Sequence, residues 1–242
     1  MPFKKFVQGY RDFHKNYFQS ENSVYDDLVR QGQSPETLVI ACSDSRTDPA
    51  LITGSQPGEM FVVRNVAAIV PPYRQDASHH GTSAAIEFAV KALKVKHIVV
   101  LGHSMCGGIK ALADKETTQQ EYEFIAQWMD IASPARDAVE AELGDASEPI
   151  KQRALEQAVI LVSLNNLMTF PWVAAKVRAG ELQIHGWYFD LKSGQIFRYK
   201  EKTQSFEKLA ATLIAQQAQQ TEQAAVDGED APHKHADGDC CC

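Results

Sequence analysis

Cysteine is scarce where a fold would use it: of 5 cysteines, Cys240, Cys241 and Cys242 are the last residues of a 242-residue chain, which leaves Cys42 and Cys106 in its body. Two thiols so far apart make no disulfide framework, and in a chain read as cytosolic they are buried groups, metal ligands or catalytic groups. Long hydrophobic runs are missing too. No stretch approaches the roughly 18 apolar residues of a membrane helix, and the aromatics after Lys4 and Lys5 are too scattered for a signal-peptide core. The expectation is a cytoplasmic protein. Positive charge is in deficit, with 24 Lys and Arg against 31 Asp and Glu, so neither nucleic acid nor an anionic membrane surface is an expected partner. Six of those acids lie from Glu222 onward against the single Lys234, so most of the surplus belongs to the tail. What is present is ordinary globular material, 44% apolar and 23% charged, enough for one large core.

Along the chain, Phe3, Phe6, Val7, Tyr10 and Phe13 recur every three or four residues and predict a helical arm over residues 1–33. Its aromatic face is expected to pack on its own domain, with a partner subunit as the alternative. Thr37 to Cys42, Met60 to Val63 and His97 to Leu101 read as short buried strands. Between them Ala84, Ala85, Phe88, Ala89, Ala92 and Leu93 form a helical stripe, and Gly107 and Gly108 open a helix to Ala113. Several helices are expected from about Glu121 to Ala179. Leu182 to Asp190 and Gln195 to Tyr199 form a late strand pair, and Leu209, Leu213 and Ile214 close a last helix. The alternation predicts an α/β fold over residues 34–214: a central, mostly parallel β-sheet flanked by helices, with a late antiparallel strand. Residues 215–242 carry almost no large apolar side chain and are expected to be a disordered acidic tail. Its His233, His235 and terminal cysteines, like His79 and His80 in the body, are most simply solvated.

Parallel α/β sheets present their chemistry at the C-terminal ends of strands. Cys42 ends the first strand there, and His103 and Cys106 follow the third, two residues apart. If those strands pair, two thiolates and one imidazole share a point and leave a fourth position open, the pattern of a catalytic zinc site. A cysteine nucleophile assisted by His103 is the competing reading, but neither cysteine is followed by the Cys-x5-Arg loop of thiol phosphatases. Asp44 and Arg46 lie two and four residues beyond Cys42. A guanidinium held bidentate against a carboxylate would keep it off the metal as a hydrogen-bond acceptor.

Three segments together resemble the β-class carbonic anhydrases, in the plant-like branch: Cys42-Ser-Asp44-Ser-Arg46, Gly102-His103-Ser-Met-Cys106-Gly107-Gly108, and Gln56 through Val66. The likeness runs from about Ser34 to Tyr199. It implies a zinc enzyme, carbonate dehydratase, that converts carbon dioxide and water reversibly into bicarbonate and a proton. In it Zn2+ is held by Cys42, His103 and Cys106, Asp44 accepts a hydrogen bond from zinc-bound water or hydroxide, and Arg46 fixes Asp44. The same resemblance places Gln33, Phe61, Val66 and Phe88 around the carbon dioxide pocket, with Gln33 and Phe61 reaching a neighbouring subunit's site, and lets Gly107 bring the chain close to the metal. It thereby implies a homo-oligomer, with a dimer as the minimum unit and a tetramer or larger assembly as the alternative. At position 88 the plant-like branch has a tyrosine, so a hydroxyl is missing here. Val39 stands where a regulated subset has Trp, so bicarbonate inhibition is not expected although Arg64 is present. Hydrolysis of a related linear molecule such as carbon disulfide, and a non-catalytic zinc- or bicarbonate-binding scaffold role, are the alternatives.

Overall fold

The computed structural model describes residues 2–19, 23–76 and 78–209; the expected tail, with Leu213 and Ile214, lies outside the described residues. Six strands form one sheet: β1 (Thr37–Cys42), β2 (Met60–Asn65), β3 (His97–His103), β4 (Gln183–Asp190), β5 (Gln195–Lys200) and β6 (Ser205–Lys208). Their order is β2-β1-β3-β4-β5-β6. The first four run parallel and the last two antiparallel. Around them lie α1 (Pro2–Phe18), α2 (Val24–Gln31), α3 (Pro49–Thr53), α4 (Gly81–Glu87), α5 (Gly107–Ala113), α6 (Lys115–Glu121), α7 (Glu123–Asp130), α8 (Ser133–Leu143), α9 (Glu148–Leu167) and α10 (Pro171–Arg178).

The central strands β1 and β3 read as continuous apolar runs because both of their faces are sheltered. Leu38, Ile40, Ile98 and Val100 point into a core shared with Ile86, Val90, Ile160, Leu167, Phe170 and Tyr188. The alternate residues Val39, Ala41, Val99 and Leu101 pack with Ile52, Met60, Trp187 and Phe189. A third cluster, containing Cys42, Cys106, Ile109, Met129, Leu155 and Val159, fills the space under α5, α7 and α9. Helix α9 borders both because Leu155, Val159, Ile160, Ser163 and Leu167 recur on one side of it. The chain leaves β1 to one side for β2 and to the other for β3. The switch point therefore lies at the carboxyl ends of β1 and β3, where open α/β sheets bind their ligands.

Several expectations change in detail. Strands β2 and β3 each run two residues beyond their apolar cores, to Asn65 and His103. The late antiparallel strand is β5, and a sixth strand, β6, pairs antiparallel on its outer edge. Strand β6 was not predicted, because only Phe206 in it is a strong strand residue; that ring packs on Tyr199 at 5.4 Å, and Gln204 turns the chain at φ 48°. The stripe from Ser83 to Leu93 is α4 followed by a wider π-helical turn over Phe88–Leu93. Ile86, Ala89 and Val90 face inward, and Phe88 is exposed. The arm packs on itself near its end, with Tyr25 stacked on Phe18 at 4.7 Å and edge-on to Phe13 at 5.8 Å. Phe3, Phe6 and Tyr10, expected to pack on the domain, are exposed.

Candidate metal centre

Paired strands bring the expected donors together. β1 and β3 are in register from Thr37 with His97 to Ala41 with Leu101, and Cys42 and His103 stand just past the last pair. Cys106 follows as the residue capping α5. The three donor atoms all lie within 4.8 Å of one another, and all three residues are buried. The sulfurs are 3.9 Å apart and are free thiols.

Each donor is prepared by its surroundings. The hydrogen bond from Cys106 holds Cys42 far below the ordinary thiol range against burial, with help from His103 and from the backbone N–H groups of Asp44 and Ala67. Cys106 is pushed up by that same bond and by burial, while the N–H groups of Gly108 and Ile109 act the other way. His103 is lowered by burial, but the neighbouring Cys42 and the hydrogen bond to the Ser104 carbonyl outweigh this and raise it overall. His103 Nδ1 lies 2.9 Å from the Ser104 carbonyl oxygen, which accepts only from a protonated nitrogen; the neutral ring then carries its lone pair on Nε2. His103 Nε2 is buried and has no hydrogen-bond partner.

Asp44 borders the same space, its Oδ2 4.0 Å from His103 Nε2. Arg46 donates to both of its oxygens, from Nε at 2.9 Å and from a terminal nitrogen at 2.7 Å, and the Arg46 backbone N–H donates to Oδ1 at 2.9 Å. These bonds hold the carboxyl well below the usual carboxylate range despite the opposing effect of burial. Arg46 also donates to the Met105 carbonyl at 3.0 Å, which ties the loop after β1 to the loop after β3.

Arg64 does more than its place in a matching segment foretold. It donates to the Cys42 carbonyl at 2.9 Å, the Asp44 carbonyl at 2.7 Å and Asp48 Oδ2 at 3.2 Å, so β2 braces the whole turn that carries Cys42. Arg64→Met keeps the aliphatic stem and strands two carbonyls. It is expected to lower unfolding stability by about 2 kcal/mol, measured as a shift in the urea midpoint.

The remaining positions divide. Val66 packs against the cluster holding Cys42 and Cys106, and its carbonyl accepts from Trp128 Nε1 at 2.8 Å. Phe61 pairs with Phe88 at 5.8 Å, and Gln33 is exposed ahead of β1. A cavity of about 1080 Å³ opens beside Asn65 and Val66, with His79, His80, Phe124 and Trp128 on its other walls. Gly107 and Gly108 differ in the protein packing around them. A Cβ on Gly107 would meet nothing within 4 Å, whereas one on Gly108 would sit 2.7 Å from Val66 Cγ1 and 3.2 Å from Ala67 Cβ. Ala67 and Ala68 cannot readily yield, since they already hold φ of 64° and 54°. Gly108→Ala is therefore expected to cost about 1–3 kcal/mol of stability. Gly107→Ala should be neutral or stabilising by up to about 1 kcal/mol, with thermal melts of both variants separating the two outcomes.

Comparison with known proteins gives a consistent result. The family described as "Carbonic anhydrase" matches residues 37–196. A carbonic anhydrase of Synechococcus elongatus is 35% identical over 195 residues, covering 81% of this chain and 71% of that protein. Among solved structures, the β-carbonic anhydrase CcaA superposes with a TM-score of 0.81 at 32% identity, over 86% of this chain and 100% of the other. One of two tetrameric β-carbonic anhydrases from Sordaria macrospora superposes with a TM-score of 0.64, also at 32% identity, over 81% and 93%.

Proposed function

The chain belongs to the β-class carbonic anhydrases, and from that premise we propose that it hydrates carbon dioxide reversibly to bicarbonate and a proton at a zinc ion held by Cys42, His103 and Cys106, with Asp44 and Arg46 orienting the attacking water. The observation that carries the reading is the orphaned His103 Nε2, buried within 4.8 Å of two thiol sulfurs. A buried polar atom left unpaired costs about 1–3 kcal/mol, and an ion at that point would satisfy it. Two soft thiolates with one imidazole suit zinc in particular. Bound there, zinc supplies the Lewis acidity that makes hydroxide available from water near neutral pH.

The chain's own groups account for the rest. Cys42 is the more easily ionised of the two thiols, and Cys106 would also have to give up its proton for both sulfurs to hold the ion. An ionised Asp44 can only accept, so a water hydrogen-bonded to it must donate and turn a lone pair elsewhere. Arg46 occupies both carboxylate oxygens and keeps Asp44 in this role rather than as a further ligand. Val66 offers an apolar wall suited to an apolar gas. Gln33 and Phe61 are proposed to complete the pocket of a second subunit, and Gly107 to leave room at its floor. The exposed aromatic face of α1 and the tetrameric state of a structural neighbour support an assembly of at least two chains.

Stopped-flow carbon dioxide hydration with metal analysis is the direct test. About one zinc per chain is expected, with activity lost on chelation and restored by zinc. Sulfide release from carbon disulfide, assayed in parallel, is expected to be absent. A folded, zinc-loaded protein without hydration activity would overturn the reading.

A further inference from the structure

Glu156 is a carboxylate that the proposed chemistry leaves unused. It lies 3% exposed on the apolar side of α9, between Leu155 and Val159, where an aliphatic side chain would cost less to bury. Tyr188 Oη donates to Glu156 Oε2 at 2.8 Å, and Gln152 Nε2 donates to Oε1 at 2.9 Å. The Cys106 backbone N–H also donates to Oε1, at 3.3 Å.

That last bond falls on an informative peptide unit. The carbonyl of the same unit belongs to Met105 and accepts from Arg46 at 3.0 Å. The peptide entering Cys106 is thus held at its oxygen by the Arg46 guanidinium and at its nitrogen by the Glu156 carboxyl group. Met105 before it holds φ 58°, a left-handed conformation that a side-chain-bearing residue keeps only when its surroundings impose it. The Cys106 carbonyl is committed as well, accepting from the Lys110 N–H at 3.0 Å. With both backbone groups fixed, the direction of the Cys106 Cα–Cβ bond is set, and rotation about χ1 is its remaining freedom.

We propose that Glu156 is a positioning residue for the metal centre, acting with Arg46 as a clamp on the Met105–Cys106 peptide that aims Cys106 Sγ at Cys42 and His103. The inference rests on the zinc reading above, and a thermodynamic readout separates the two. Outer-shell partners of ligands change metal affinity by about 10–100-fold when removed. In Glu156→Leu with Tyr188→Phe, the carboxylate and its main donor are exchanged for apolar groups, so the core should fold. Zinc affinity by chelator competition should weaken by about 10–100-fold, and the thiolate-to-metal absorption of the cobalt-substituted protein should shift. Glu156→Gln keeps an acceptor for the Cys106 N–H and should recover most of that affinity. A purely structural carboxylate predicts altered melting of the metal-free variants with unchanged zinc affinity, which would overturn the clamp while leaving the metal centre standing. Failure of the unmutated protein to bind zinc would instead remove the centre itself. Should the variants not fold, hydrogen exchange in the unmutated metal-free protein decides. A slow Cys106 amide is expected, and exchange as fast as that of an exposed loop amide would overturn the inference.

Discussion

Cys42→Ser is expected to give a folded chain that retains less than about a tenth of a zinc ion and hydrates carbon dioxide no faster than buffer. The substitution changes one buried atom, so the strand around it should persist. Its chemical effect is larger than its size. A serine hydroxyl does not ionise near neutral pH and is a hard donor, so the site falls to one thiol and one imidazole. The remaining thiol is altered too, because Cys106 is raised chiefly by its bond to Cys42. Without that partner its pKa should move back down toward the ordinary thiol range, within the limit set by burial. Thiol titration of the metal-free variant, together with metal analysis and circular dichroism, checks each step. One retained zinc and full activity in Cys42→Ser would dismiss the proposed ligand set.

The meeting of Cys42, His103 and Cys106 was legible because strand ends are legible. Thr37 to Cys42 and His97 to Leu101 are compact β-branched runs with turn residues after them, and a parallel pairing of the two leaves Cys42, His103 and Cys106 at one edge. Alternation alone does not reach that far. Counted along the pleat, Cys42 shares a face with Leu38 and Ile40, and His103 with Val99 and Leu101. They meet past the last register pair of β1 and β3, although Cys42 still pairs with Asn65 of β2 and His103 with Phe189 of β4. Asp44 and Arg46 were legible by proximity in sequence. Glu156 was not, because its target is 50 residues away, although a lone acid amid the apolar residues of α9 was a signal that could have been used. The tight packing at Gly108 depends on where Val66 ends up, which no local spacing records. The arm is the converse case: its periodicity predicted α1 correctly, but periodicity names a sticky face and not the surface that covers it.

Asp44→Asn should keep its zinc while losing about 100-fold or more in turnover, the reverse of the Cys42→Ser outcome. The side chain keeps its shape, yet one oxygen becomes an NH2 group. Turned toward Arg46, that group faces another donor; turned toward the centre, it presents a donor to a water that needs an acceptor. Either way the arrangement that orients water is lost, and with Cys42, His103 and Cys106 untouched, metal content should not follow. Arg46→Ala probes the same pair from its other end. Asp44 keeps its charge at neutral pH but loses both side-chain bonds that hold it, and the Met105 carbonyl loses its donor. A misplaced carboxylate beside an open metal position is free to become a ligand there, and turnover is expected to fall by about 100-fold. The pH dependence of stability gives an independent sign. Arg46 lowers the folded-state pKa of Asp44 below its ordinary value of 3.8. Its contribution is therefore complete above that value and is lost as the pH falls through the folded pKa. The stability difference between the natural protein and Arg46→Ala should be constant near neutrality and shrink in acid. A difference that grew as the pH fell would mean that Arg46 acts through some other group than Asp44.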